Sequence, residues 1–292
     1  MSKIIFILIG CGSALIIISY ACSLLITQYR TFTAQIHTPE DFGIDYDKFI
    51  VDGADNAKIS CWFIPAMQSK AVVIVSHGVA DGKSGLLQCV LPFIKSGFSI
   101  VMYDLRHHGE STGDFCTLGY HETNDLLMLT DYVKKNLADG KPLCYWGFSL
   151  GATISILAGS KRNDIKAVVA RSPFENIRNV VKHYAWKFYF MPYFPVVPIA
   201  LKFFEWKTGA KVADVDIYKN NGEFKLPPVL LIGSENDKQV PFKWLENIRA
   251  SIGNSAELLV GPYGHTEIFE AMESGGIDAE RAISFLSEAI KK

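Results

Sequence analysis

Ser149 sits in the stretch "YWGFSLGATISI" (Tyr145 to Ile156), fenced by Gly147 and Gly151 where an apolar strand-like run gives way to a helical one. A serine on a sharp strand-to-helix turn has its hydroxyl pushed into the open. Such a turn leaves little room for Cβ atoms two residues before and after, and glycine meets that demand. The hydroxyl is a poor nucleophile until a base takes its proton. The base should be a histidine, steadied by a carboxylate. His265, in "GPYGHTEIF", and Asp237, in "GSENDKQVP", each follow a strand-like run. Glu235, two residues from Asp237, and Glu175 compete for the role of acid. Acyl transfer also needs N–H donors for an oxyanion. The backbone N–H of Leu150, directly after the serine, is one candidate, and Val79 in "SHGVADGKSG" the other, with Ala80 second. G-x-S-x-G is short enough to arise by chance, so the motif gains weight only from its setting.

That setting is a succession of apolar runs and helical stretches. Strands are expected over 44–51, 58–64, 71–76, 98–103, 143–147, 167–171, 229–233 and 256–260. Helices are expected over 85–96, 123–137, 150–160, 241–252 and 279–292. Runs such as "AVVIVS" and "PVLLIG" are apolar throughout, as in strands covered on both faces. Their alternation with helices implies a largely parallel, doubly wound α/β sheet. The first two strands have no helix between them, so they should pair antiparallel at one edge. His265 and Asp237 then fall at the carboxyl ends of strands, where such sheets build their sites. His77, Asp104, Arg106, His107 and His108 read as loop-organising residues.

Between the runs ending at Arg171 and starting at Val229 lies a segment crowded with aromatics, among them Trp186, Phe190 and Phe194. Its apolar core is too short to span a bilayer. Pro192, Pro195 and Pro198 should interrupt a helix repeatedly. A cap over about 174–222 is the expectation, with Trp186, Phe190 and Phe194 as candidates for contact with an apolar substrate chain or the lipid interface.

The 292 residues are 49% hydrophobic with a formal net charge of -1, and no basic stripe points to nucleic acid. The six cysteines form no CxxC or Cys/His cluster with metal spacing, and neither a metal nor an organic cofactor is called for. Ile4 to Ile26 carries no charge. As a helix it would reach roughly 34 Å, enough for a bilayer core of about 30 Å. A cleaved signal peptide and a lipoprotein signal ("LIGC", ending at Cys11) compete with an uncleaved anchor over 4–27, followed by a linker over 28–43. The apolar run continues well past Cys11, which favours the anchor. Lys3 and the amino terminus barely outweigh Arg30, so the bulk of the protein is expected on the outer side. Oligomeric state is not legible.

"VSHGVADG", "YDLRHHGES", "GFSLGA", "GSENDKQVP" and "GPYGH" together resemble the α/β-hydrolase superfamily, close to its serine aminopeptidase and monoacylglycerol-lipase-like branch. The motifs occur in family order over about residues 44–292. The resemblance implies an eight-stranded, mostly parallel sheet with helices on both faces, a cap after the sixth strand, and a triad of Ser149, Asp237 and His265. One departure is His107, where the family pattern has glycine. The expected activity is hydrolysis of carboxylic, lipid-like acyl esters by a membrane-anchored enzyme. A peptidase and a catalytically idle binding module are the alternatives.

Overall fold

The computed structural model describes residues 2–28, 37–219, 226–265 and 277–292. Part of the expected linker (29–36), the end of the expected cap with the residues just after it (220–225) and the segment directly after His265 (266–276) lie outside the described residues. Eight strands form one sheet: β1 Asp47–Asp52, β2 Lys58–Ile64, β3 Ala71–Ser76, β4 Phe98–Tyr103, β5 Leu143–Phe148, β6 Ile165–Arg171, β7 Val229–Ser234 and β8 Ala256–Gly261. Their order is β1-β2-β4-β3-β5-β6-β7-β8. β2 runs antiparallel to β1 and β4, and every other pair is parallel. The strand boundaries move by at most three residues from those read in the sequence, the largest shift being at β1, where Ile44 to Tyr46 pack as a partly buried approach.

All six residues of each of β3, β4, β5 and β7 are buried, as expected of strands covered on both faces. The side-chain period of two divides them between two apolar layers. Val72 and Ile74 join the layer under helices α3 (Tyr120–Asn136) and α4 (Leu150–Gly159). Val73 and Val75 join the opposite layer, under α2 (Leu87–Lys95) and the closing helix α8 (Ile277–Ala289). Burying each large apolar side chain of these layers contributes about 1.5–3 kcal/mol, which holds the strand ends in register.

The segment between β6 and β7 forms two helices, α5 (Ile177–Tyr189) and α6 (Val196–Thr208). Asn176 caps α5 by accepting the Asn179 N–H. Pro192 and Pro195 fall in the connection, but Pro198 lies inside α6 and does not interrupt it. It occupies the first turn, where a missing N–H costs no intrahelical bond. Helix α7 (Phe242–Ile252) follows β7. The amino-terminal helix α1 (Ser2–Thr27) contains a 23-residue apolar span, Ile5–Thr27, with a mean hydropathy of 2.3. Its amino-terminal half is exposed, while its carboxyl-terminal part packs along α6.

Candidate active site

Ser149 stands between β5 and α4 with φ 52° and ψ −115°, a conformation side-chain-bearing residues rarely adopt. The close packing that imposes it also explains the flanking glycines. A Cβ on Gly147 would lie 2.3 Å from the Gly151 carbonyl oxygen, and one on Gly151 would lie 2.1 Å from that of Ser76. Ser149 is braced from behind, its N–H donating to the Arg171 carbonyl at 2.8 Å. The Arg171 guanidinium is in turn held by Asp278 of α8 at 2.6 Å, with both side chains buried. Burial pulls the Arg171 pKa down to about 10, against the pull of Asp278, and raises that of Asp278.

At the carboxyl ends of β7 and β8, His265 Nδ1 meets Asp237 Oδ2 at 2.7 Å. Asp237 Oδ2 also accepts from Ser172 Oγ at 2.9 Å, and Oδ1 accepts the N–H groups of Gln239 and Val240, each at 2.8 Å. Burial alone would raise the Asp237 pKa. The hydrogen bond and charge of His265, with those two N–H groups, outweigh burial and lower it. The His265 ring packs on Phe148, the residue before Ser149, with centroids 5.0 Å apart. His265 and Ser149 are both buried. The rival acids lie elsewhere. Glu235 is exposed, and Glu175 is hydrogen-bonded to Tyr218 and Asn179.

A Cβ on Gly78 would approach Ser149 Cβ to 3.4 Å, so the loop after β3 runs beside the serine. Among the described residues, the N–H groups of Val79 and Leu150 have no hydrogen-bond partner. The Ala80 N–H is already committed to His108 Nε2 at 3.2 Å. His108 Nδ1 faces the Arg106 carbonyl at 2.8 Å. His77 Nε2 accepts the Leu105 N–H at 2.9 Å, and its Nδ1 donates to the Gly78 carbonyl at 2.7 Å. Burial lowers the pKa of both rings, that of His108 to about 4. These neutral imidazoles tie the β3 loop to the β4 loop. Asp104 completes the tie, accepting the Lys83 and Glu110 backbone N–H groups and pairing with the Lys83 ammonium. Arg106 grips Asp125 through Nε at 2.6 Å and Nη2 at 2.7 Å. His107 has φ 63°, the left-handed region, which is the physical reason the family pattern has glycine there.

Trp186, Phe190 and Phe194 are all exposed. Trp186 lines a cleft of about 440 Å³ between α5 and the start of α7, with Lys182, His183, Tyr193 and Trp244. Sequence reasoning missed Ser172, whose hydroxyl supports Asp237, and the Arg171–Asp278 brace. A serine and an ion pair carry no distinguishing local signal. Among the described residues, no group of three or more His, Cys, Asp or Glu side chains is placed to hold a metal ion.

Residues 67–226 match the family described as serine aminopeptidase, S33, and residues 204–281 match the TAP-like protein family. The chain belongs to the S33 family, within the α/β hydrolases. Among curated relatives, the uncharacterized protein YqkD of Bacillus subtilis is 25% identical over 202 residues, covering 68% of this chain and 66% of that protein. Human protein ABHD12B is 26% identical over 196 residues, covering 64% of this chain and 51% of that protein. The chain therefore spans less than two thirds of either relative's length. The Pyrococcus furiosus esterase Pf2001 shares the fold with a TM-score of 0.74 at 21% identity, over 90% of this chain and 98% of that one.

Proposed function

We propose that the chain is a membrane-anchored serine hydrolase that cleaves carboxylic, lipid-like acyl esters through an acyl-enzyme on Ser149. The observation that carries the reading is the buried 2.7 Å contact of His265 with Asp237, beside the strained turn at Ser149. An Nδ1–H donated to the carboxylate leaves Nε2 with its lone pair, ready to take the Ser149 proton. Ser149 Oγ then forms a bond to the acyl carbon, and negative charge gathers on the carbonyl oxygen. The Val79 and Leu150 N–H groups are the donors for that oxygen. Collapse expels the alcohol, protonated by His265. A water, deprotonated by the same ring, releases the acid and restores the serine. In this reading residues 4–27 are the anchor, 28–43 the linker, and 44–292 the hydrolase domain with its cap over about 174–222. The domain lies on the outer side of the membrane.

The preference for lipid esters rests on the apolar helix α1 and the aromatic cap beside it. The S33 family description favours a second reading, hydrolysis of aminoacyl amides at the same serine. An esterase on this fold does not decide between them, because a fold hosts many chemistries. A fluorophosphonate probe should label the wild type and not Ser149→Ala. Labelling that persists in Ser149→Ala rules out this nucleophile, and failure to label the native wild type favours an idle binding module. On p-nitrophenyl esters turnover should rise with acyl length. Turnover confined to aminoacyl amides replaces the esterase reading with the peptidase one.

A further inference from the structure

We infer that the cap, not α1 alone, enters the membrane: α6 and the α5–α6 connection lie submerged in the acyl–headgroup boundary of a leaflet carrying anionic lipid. The inference rests on the reading of α1 as a bilayer span and adds a second, independent geometric fact. The carboxyl-terminal part of α1 is packed against the cap. Tyr20 meets Phe203 edge to face at 5.4 Å, and Cys22 Sγ lies 3.5 Å from Met191 Sδ. Ser19, Ser23 and Thr27, four residues apart, are buried on one side of α1, and such small side chains let helices approach closely.

Length decides where this contact must lie. The span Ile5–Thr27 has 23 residues. It reaches about 35 Å as a helix, against a hydrocarbon core of about 30 Å. If Thr27 marks the boundary on the domain side, Tyr20 is about 10 Å deeper, and Phe203 is there with it. Sliding α1 outward until the whole cap is in water would leave only residues 5–18 to cross. That is about 21 Å, which is too short. The contact with α6 and the requirement to span are compatible only if the cap descends into the lipid.

The surface of the cap fits that position. Phe190 and Phe194, flanking Met191, are 81% and 77% exposed, and Trp186 and Trp206 are 63% and 76% exposed. Aromatic rings of this kind favour the bilayer interface. From residue 177 to 208 the chain carries Arg178, Lys182, Lys187, Lys202 and Lys207 against a single acid, Glu205. This excess of positive charge beside apolar rings complements anionic headgroups.

Full-length protein should be reconstituted into vesicles of phosphatidylcholine and phosphatidylglycerol, with and without bromine on the acyl chains. Flotation with the vesicles reads the anchor separately. Bromolipid should quench tryptophan fluorescence in the wild type, and the quenching should fall by more than half in Trp186→Phe/Trp206→Phe. Trp62 and Trp146 are buried in the sheet and should contribute little. A near-ultraviolet spectrum matching the wild type shows that the variant is folded. Replacing phosphatidylglycerol with phosphatidylcholine should reduce the quenching. Protein that floats but shows no bromine-dependent quenching, or quenching unchanged in the folded double variant, overturns the submerged cap. Quenching indifferent to phosphatidylglycerol overturns the anionic preference. Protein that does not float overturns the anchor instead.

Discussion

His77 and His108 on one side of the sheet rim, and His265 on the other, share a residue type and deep burial, and differ in their partners. The first two accept backbone N–H groups through Nε2. A proton added there would point at another proton, and burial offers it no compensation. His265 instead faces a carboxylate, that of Asp237, through Nδ1. Burial alone therefore does not make a histidine a base. In the proposed mechanism the partner on its other nitrogen decides whether the ring braces a loop or accepts protons.

The contrast can be broken most forcefully at His265. His265→Ala should lower kcat on the best ester by a factor on the order of 10^6, with the fold intact by circular dichroism. A loss under tenfold would place His265 with the structural pair. Asp237→Asn should cost on the order of 10^4 in kcat, because the amide favours the wrong tautomer of the ring. Glu175→Gln should leave kcat within about threefold, since Glu175 is tied up with Tyr218 and Asn179.

The loop pair is sharpened by acid. His108 has its pKa depressed to about 4 from the ordinary 6.5, so between those values the unfolded chain binds a proton that the native protein refuses. Stability should be intact above pH 6.5 and fall as pH drops towards 4, by about 3 kcal/mol from this group. Urea unfolding across that range, compared with His108→Gln, reads the contribution. An equal pH slope in the variant would remove His108 as its source. The smallest effect belongs to His107, whose backbone is left-handed. His107→Gly should be more stable than His107→Ala by about 1 kcal/mol in thermal melts, because only glycine accepts that conformation without strain.

Much of this architecture was legible before folding. The runs at 71–76 and 229–233 have no polar face, as expected of strands covered on both sides, and every residue of both strands is buried. Ser149, Asp237 and His265 were marked by glycine spacing and by their places after strands. Pro198 misled, because a proline's effect depends on its position in a helix that sequence alone had not located.

The sequence by itself determined the alternation of elements, the apolar amino-terminal helix, and which side chains could serve the proposed acyl transfer. These follow from periodicity and residue type, which are local properties. Only the tertiary structure decided that Ser172 supports Asp237, that Ala80 is taken by His108, and that α1 lies against α6. Those contacts join residues tens to more than a hundred positions apart. Their partners are chosen by how the layers pack in space, which no local pattern encodes.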